Sequence, residues 1–322
     1  MPKDKSGNSQ NSNPKIEFKP KFIERYSGLT DFELFKEYSL RFLRRSIRVN
    51  TLKMPVKEIK KRLSKEWTLT QVPWCNEGFW IEHKGEEKRR DIGNLREHTL
   101  GYIYVQEAAS MIPPIVLDPK PGEINLDICA SPGSKSSQIA QYMQNKGILV
   151  CNDYTGIRLA PLGINLQRVG AYNTITTIMH GQGFPKTNQL FDRILVDAPC
   201  SGTGTIRKSL KTLRIWNPKM VSRLAHTQKS ILEAAFNRLK TGGTLVYSTC
   251  SCEPEENEGV VSRLIESCGD SEVCEIDIKI NRSETIKEFG GIKFNPETRK
   301  CLRIWPQDND TEGFFVARIM KK

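Results

Sequence analysis

Two cysteines stand at matching places in this chain. Asp197-Ala198-Pro199-Cys200-Ser201-Gly202-Thr203-Gly204 leaves the end of one apolar run, and Ser248-Thr249-Cys250-Ser251 leaves the next, with the two thiols 50 residues apart. A lone cysteine is usually an inert core residue. Two at corresponding loop starts, one directly after Asp-Ala-Pro and beside small residues that leave room for a ligand, suit covalent catalysis by a thiolate.

A second cluster lies upstream, where Asp127-Ile128-Cys129-Ala130-Ser131-Pro132-Gly133-Ser134-Lys135 joins an apolar run to a helical one, and Asp153 ends the following run 20 residues after Gly133. That spacing suits a carboxylate accepting hydrogen bonds from ribose hydroxyls. The loop is not GxGxxG and no GxxxxGK[ST] occurs, so neither phosphate-binding signature is met. A nucleoside cofactor without phosphates, such as S-adenosylmethionine, fits this loop better than a dinucleotide.

These residues need a scaffold, and from about Gly101 the pattern supplies one. Strands are expected at Ile124–Ala130, Ile148–Asp153, Asn173–Met179, Asp192–Ala198, Thr244–Cys250 and Gly313–Met320. Helices are expected at Ser134–Gln144, Gly156–Val169, near Pro218–Lys240, and at Glu255–Cys268, the last bracketed by Pro254 and Gly269. Continuous apolar strands separated by helices imply an α/β fold with a parallel sheet covered on both faces. Ligands of such doubly wound sheets bind beyond the carboxyl ends of the strands, where both clusters fall. Residues 15–100 read as a small α+β N-terminal domain, with strands at Ser46–Leu52, Thr68–Val72 and Gly78–Glu82 and a helix at Val56–Leu63. Met1–Asn13 is too polar to offset its ordering entropy, so residues 1–14 read as a disordered tail, leaving 101–322 as the catalytic domain.

Composition narrows the partner. The 322 residues carry 49 Lys+Arg against 37 Asp+Glu, a net charge of +12, and mean hydropathy is −0.48. The first hundred residues hold 22 basic and 14 acidic side chains, and Arg207–Lys240 holds nine basic residues with Glu233 as its one acid. Two basic concentrations fit either a polyanionic partner or solvated helix faces. No apolar stretch approaches a membrane span or a secretory signal. Nine cysteines without framework spacing fit reduced thiols in the cytoplasm, and the scattered His83, His98, His180 and His226 give no metal-ligand spacing.

The motifs taken together are more specific than any one of them. DICASPGSK, Asn152-Asp153, FDRILVDAPCSGTG from Phe191, YSTCS from Tyr247, Pro254-Glu255-Glu256-Asn257-Glu258, the closing GFFVARI and the leading RVNTLK (Arg48–Lys53) resemble the Sun (Fmu, RsmB-like) RNA cytosine-5 methyltransferases. The similarity runs from about Lys15 to the end, without the appended carboxyl-terminal RNA-binding domain that some relatives carry. The resemblance implies a Rossmann-like S-adenosylmethionine-dependent methyltransferase sheet, doubly wound and mostly parallel, of seven strands with the last-placed one antiparallel. It also implies an RNA substrate, ribosomal or transfer RNA, in a cytoplasmic protein, or a nucleolar one if the source is a eukaryote. A monomer is expected.

Carried over residue by residue, the resemblance makes Cys250 the nucleophile and Cys200 the group that assists release, a ranking the residues alone leave open. Carbon 5 of cytosine is a poor nucleophile, so a thiolate first adds to carbon 6, and the adduct must afterwards be dismantled with help from a second group. Asp197 would bond cytosine at nitrogen 3 and its amino group. Lys135 would lower a thiol pKa or contact cofactor or base. Cys129, Ala130, Ser131, Pro132, Gly133, Ser134 and Lys135 would wrap the cofactor, with Asp153 on the ribose and Arg158, Asp197 and His180 as further contacts. His180 stands where many relatives have an acid for the adenine amino group. Arg44, Arg45, Arg48 and residues 207–223 are the expected phosphate contacts, and Trp216 is read as packing rather than stacking. The competing reading is a non-catalytic RNA-binding or assembly factor that keeps the pocket as structure; a nicotinamide oxidoreductase fails on the loop chemistry.

Overall fold

The computed structural model describes residues 17–86 and 91–322, so the expected tail lies outside the described residues. The chain opens with two short helices, α1 (Pro20–Ser27) and α2 (Phe32–Leu40), the second capped by the Asp31 carboxylate accepting from the Leu34 amide. Their aromatic residues turn away from the small sheet that follows. Phe22 stacks on Tyr26 at 4.0 Å and meets Trp216 edge-on at 4.9 Å, while Phe35 sits edge-on to Trp305 at 6.0 Å. Trp216 is thus buried in this cluster and packs, as its expected role had it.

The leading sheet contains β1 (Ser46–Val49), β2 (Trp67–Gln71), β3 (Gly78–His83) and β4 (Ile103–Val105) in the order β2-β3-β1-β4, all antiparallel. Helix α3 (Val56–Leu63) buries Ile59 and Leu63, one turn apart, and the short α4 (Arg96–Thr99) leads into β4.

The large sheet has the order β10-β14-β9-β8-β5-β6-β7, with β13 paired to the outside of that path. Its strands are β5 (Ile124–Asp127), β6 (Ile148–Asp153), β7 (Thr174–Ile178), β8 (Phe191–Asp197), β9 (Leu239–Thr249), β10 (Ser271–Cys274), β13 (Leu302–Ile304) and β14 (Phe314–Lys321), with β11 (Glu288–Phe289) and β12 (Ile292–Lys293) forming a separate hairpin. The five strands from β9 to β7 are parallel, and β14 enters antiparallel between β9 and β10. This is the mostly parallel seven-strand methyltransferase arrangement. Helices α5 (Ile112–Leu117), α6 (Ser134–Tyr142), α7 (Gly156–Val169), α9 (Pro218–Phe236) and α10 (Glu258–Ser267) accompany it, with the short α8 (Lys211–Ile215) and α11 (Pro306–Asn309) in the connections. Two apolar clusters divide the packing. One joins Ile139, Leu162 and Leu166 to Leu149 and Leu195; the other joins Ile231, Leu232 and Val261 to Leu126, Ile194 and Leu245.

Helix ends follow local chemistry. Asn217 accepts from the Met220 amide at 2.9 Å and Pro218 sits at the first turn of α9, whereas α7 closes on Gly170 at φ +76 with its amide bonded to Gln167. The helix expected from Glu255 is displaced. Pro254–Glu256 is a 3-10 turn, Asn257 leaves helical geometry at φ −113 and ψ −96, and α10 begins at Glu258. The cause is the demand on Glu256 and Asn257, whose side chains are drawn to the thiol-bearing loops.

Candidate active site

Both thiol loops leave the carboxyl ends of neighbouring parallel strands, β8 and β9, where Asp197 pairs with Ser248 in register. The Cys200 and Cys250 sulfurs are 3.1 Å apart. Two rows of bonds hold them there. The Glu256 carboxylate accepts from the Ser201 amide and the Gln228 side chain, both at 2.9 Å, while the Tyr247 hydroxyl donates to the Glu256 carbonyl at 2.6 Å. Asn257 donates to the Ser251 carbonyl at 2.9 Å and accepts from Thr249 at 2.6 Å. The loops also touch directly. The Gly204 amide donates to the Cys250 carbonyl at 3.0 Å, and the Gly313 amide donates to Gly204 at 2.9 Å. A Cβ on Gly204 would stand 2.2 Å from the Gly313 oxygen and 2.8 Å from the Cys250 oxygen, so only glycine permits this approach.

Asp197 is fixed from two sides. Lys135 donates to one oxygen at 2.7 Å and the Ser248 hydroxyl to the other at 2.8 Å. Burial pulls the Lys135 ammonium down, but the Asp197 charge and hydrogen bond outweigh it and hold the pKa above the ordinary lysine value, with the nearby Cys250 adding to the rise. Lys135 therefore stays a cation at neutral pH. The Cys200 thiol is pushed well above its usual value, first by its hydrogen bond to Cys250 and then by burial, so Cys200 carries its proton beside Cys250.

The cofactor-type loop follows β5. Gly133 takes φ +102, and a Cβ there would crowd Leu162. Asp153, at the end of β6, accepts from the Ser131 amide at 3.1 Å, the Tyr154 amide at 2.8 Å and Arg158 Nε at 2.8 Å. Arg158 reaches back to the Ser131 carbonyl at 3.1 Å, so it braces the loop against α7. Inside the turn, Asp127 accepts from Ser136 at 2.6 Å while its other oxygen is buried without a hydrogen-bond partner. Burial raises the Asp127 carboxyl to about 7.

A cavity of about 370 Å³ opens over these groups. Its walls include Cys129 to Pro132, Ser134, Lys135, Asp197 and Cys250, closed by Tyr104, Lys208, Glu312 and Phe314. The two sequence clusters thus meet in one space, with Cys250 facing it and Cys200 joined to it through sulfur. Asp153 and Arg158 stand behind the Ser131 wall. His180 is exposed two residues past β7, its ring 6.2 Å from Tyr154 and outside this lining.

Two expected RNA contacts are corrected. Arg48 is 1% exposed; its guanidinium donates to Gln106 at 2.8 Å, Ser137 at 2.7 Å and Gln141, bolting β1 to α6. Arg207 has no exposed side-chain area and pairs with Asp310 at 2.8 Å. Neither reaches a phosphate. Conversely, Asp127, Ser248, Glu256 and Asn257 carry site geometry that sequence reasoning assigned to no role. Glu256 and Asn257 lay in a quoted motif, but nothing in the local pattern shows that both are fully buried. Among the described residues no group of three or more His, Cys, Asp or Glu could hold a metal ion, and no helix is long and apolar enough to cross a membrane.

With this geometry established, comparison with known proteins is specific. Residues 114–320 match the model of the 16S rRNA methyltransferase RsmB/F family, and residues 18–108 match the N-terminal domain of 16S rRNA methyltransferase RsmF. The chain is 46% identical over 313 residues to the tRNA (cytosine(49)-C(5))-methyltransferase of Pyrococcus abyssi, covering 95% of this chain and 98% of that protein. It is 41% identical to the ribosomal RNA small subunit methyltransferase F of Vibrio parahaemolyticus over 96% of this chain but 64% of that longer protein. Among solved structures, a methyltransferase homolog protein from Pyrococcus horikoshii superposes with a TM-score of 0.84 at 36% identity, covering 95% of this chain and 96% of that one. NSun6 from Pyrococcus horikoshii shares the fold at a TM-score of 0.82 and 24% identity, over 94% and 98% of the two chains.

Proposed function

The chain belongs to the RsmB/F methyltransferase family, and on that premise we propose how it works: as an S-adenosylmethionine-dependent RNA (cytosine-5) methyltransferase acting through a covalent Cys250–cytosine bond. The observation that carries the assignment of roles is the pair of sulfurs 3.1 Å apart, of which Cys250 lines the cavity beside Asp197 and Lys135 while Cys200 does not.

The cavity fits the cofactor. The loop lacks any phosphate cradle, Asp127 keeps a buried oxygen without a partner, and Asp153, with three bonds on about four lone-pair sites, can accept one more from a ribose hydroxyl. Cys129 to Lys135, Asp153 and Asp197 would hold it, with Arg158 bracing the loop and His180 further out beside Tyr154. When bound, it supplies an electrophilic methyl to the activated carbon 5.

The chain's own groups do the rest. The Cys250 thiol passes its proton to solvent and its sulfur adds to carbon 6 as the thiolate, and the electron pair displaced from the ring double bond makes carbon 5 nucleophilic. Asp197, held by Lys135 and Ser248, meets nitrogen 3 and the amino group where charge develops, and its fixed orientation avoids reorganisation during the reaction. Once Cys250 is bonded to carbon 6, the hydrogen bond that most raises the Cys200 pKa is gone. Cys200 releases its own proton to solvent and, as a thiolate, takes the proton on carbon 5. The carbon–sulfur bond breaks as the double bond re-forms, and its electron pair returns to Cys250.

The substrate we favour is transfer RNA, because the relative so named is matched along nearly its whole length. The leading sheet, with the α+β domain boundary placed near residue 100, would help hold it. All nine cysteines are free thiols, which supports a cytoplasmic setting. The non-catalytic reading has no observation in its favour. The test is transfer of labelled methyl to unmodified tRNA and to small-subunit rRNA fragments, with the product identified by nucleoside analysis. Labelled 5-methylcytosine in tRNA, lost in Cys250→Ala, is expected. Label in rRNA alone would move the substrate, and label in neither RNA would overturn the reading.

A further inference from the structure

The leading sheet has two unlike faces. In the β2–β3 register, Trp67, Leu69 and Ile81 lie on the face that packs against α3, whereas Thr68, Thr70 and Trp80 fall on the other, with Thr70 directly opposite Trp80. Over that second face the segment before β1 folds back and leaves a cavity of about 390 Å³, lined by Phe42, Arg44, Arg45, Thr68, Thr70 and Trp80. The volume is that of a small-molecule site. Its composition is unlike a packing defect. Arg44 lies 3.9 Å above the Trp80 ring, Arg45 lies 5.4 Å from the Phe42 ring, and Phe42 is 53% exposed. Flat π and guanidinium surfaces beside hydroxyls are the groups that receive an unstacked base, and Arg45 offers a cation for an attached phosphate, Arg44 being paired with Asp310.

The two cavities share no lining residue, and a bonded chain of residues connects their walls. Lys208 lines the catalytic cavity, and the adjacent Arg207 donates to the Phe42 carbonyl at 2.9 Å and to Asp310 at 2.8 Å. Arg44 completes the link by bonding Asp310 at 2.9 Å and the Asn309 carbonyl at 2.8 Å. These bonds tie the wall of the second cavity to the wall of the catalytic one.

We propose that the Phe42–Trp80 cavity is a subsite for one unpaired nucleobase of the RNA near the target cytosine, with its phosphate on Arg45. The inference rests on the RNA methyl-transfer reading. It predicts that binding depends on a base, not only on charge.

The experiment measures Kd for a set of otherwise identical RNA oligonucleotides, in each of which one nucleotide near the target cytosine is abasic. Wild type, Phe42→Ala, Phe42→Leu and Arg45→Gln are compared, with methyl transfer by wild type on the intact RNA run in parallel and melting temperatures confirming folded variants. One abasic position should weaken wild-type binding about 10-fold, the scale of a stacked base. The same abasic position should cost either Phe42 variant less than twofold, because the stacking partner is already gone. Equal losses in wild type and both Phe42 variants, or no abasic position that matters, overturn the subsite while leaving methyl transfer intact. An effect of Arg45→Gln without any effect of Phe42 also overturns it, since that pattern is a phosphate contact alone. Failure of wild type to methylate the intact RNA would instead sink the function reading.

Discussion

Replacing Arg48 by Met tests whether the leading sheet and the cofactor helix are one mechanical unit. The guanidinium donates to Gln106, Gln141 and Ser137, on β4's exit and on α6. Removing it leaves the Gln106 and Gln141 side-chain oxygens buried without that donor, while Ser137 keeps its bond to the Ser134 carbonyl at 2.8 Å. Each stranded acceptor costs about 1–3 kcal/mol. Against this, the variant no longer buries a cation, and the Arg48 pKa is held below its ordinary value by burial. The apolar stem of Met refills most of the volume, so the net loss should be roughly 2–3 kcal/mol, or about 3–4 °C in Tm for a chain of this size. The assay pairs thermal unfolding with the salt dependence of RNA binding. Each phosphate contact contributes about 0.7–0.9 to the log–log slope. Arg48→Met should lower Tm and leave the slope unchanged; an unchanged Tm with a slope shallower by about one would return Arg48 to the RNA surface and refute the burial argument.

Three further outcomes are expected. Gly204→Ala should give little folded, active protein, because its Cβ would be forced to 2.2 Å from the Gly313 oxygen; yield and Tm equal to wild type would contradict this. Lys135→Gln removes the cation from Asp197, 2.7 Å away, and should cut kcat by about 100-fold, a loss of roughly 2.7 kcal/mol in transition-state stabilisation that steady-state methyl transfer will measure. For pH, the Asp127 carboxyl is raised from 3.8 to about 7 by burial, so the stability linked to it is fully present below about pH 4 and is lost as pH rises through about 7. Asp127→Asn should flatten the decline in Tm between pH 5 and pH 8, with Glu256, also raised to about 7, supplying what slope remains.

Much of this architecture could be read from spacing alone. The strand Ile148–Asp153 and the helices Val56–Leu63 and Gly156–Val169 lie where periodicity puts them, and Cys250 falls one residue past β9, where a reactive thiol should stand. What periodicity cannot convey is long-range polar pairing. Arg48 and Arg207 look like surface cations in a basic chain, yet each is consumed by a partner 58 or more residues away. Glu256 is expected within a helix starting at Glu255, yet it is fully buried and lies before α10, bonding Ser201 and Gln228. Helix α5, absent from the expected elements, carries Pro113 and Pro114 in its first turn, where missing amides cost nothing. The leading helices were hidden for another reason. Phe22, Tyr26 and Phe35 pack on Trp216 and Trp305, residues nearly 200 or more positions later, so no local window reveals their partner.

The central claim is that Cys250 attacks and Cys200 releases. Wild type, Cys200→Ala and Cys250→Ala are each incubated with tRNA and S-adenosylmethionine and run on denaturing gels. With release disabled, Cys200→Ala should accumulate an RNA-linked band, and Cys250→Ala should show none. A band from Cys250→Ala and none from Cys200→Ala would contradict the account and exchange the two thiols.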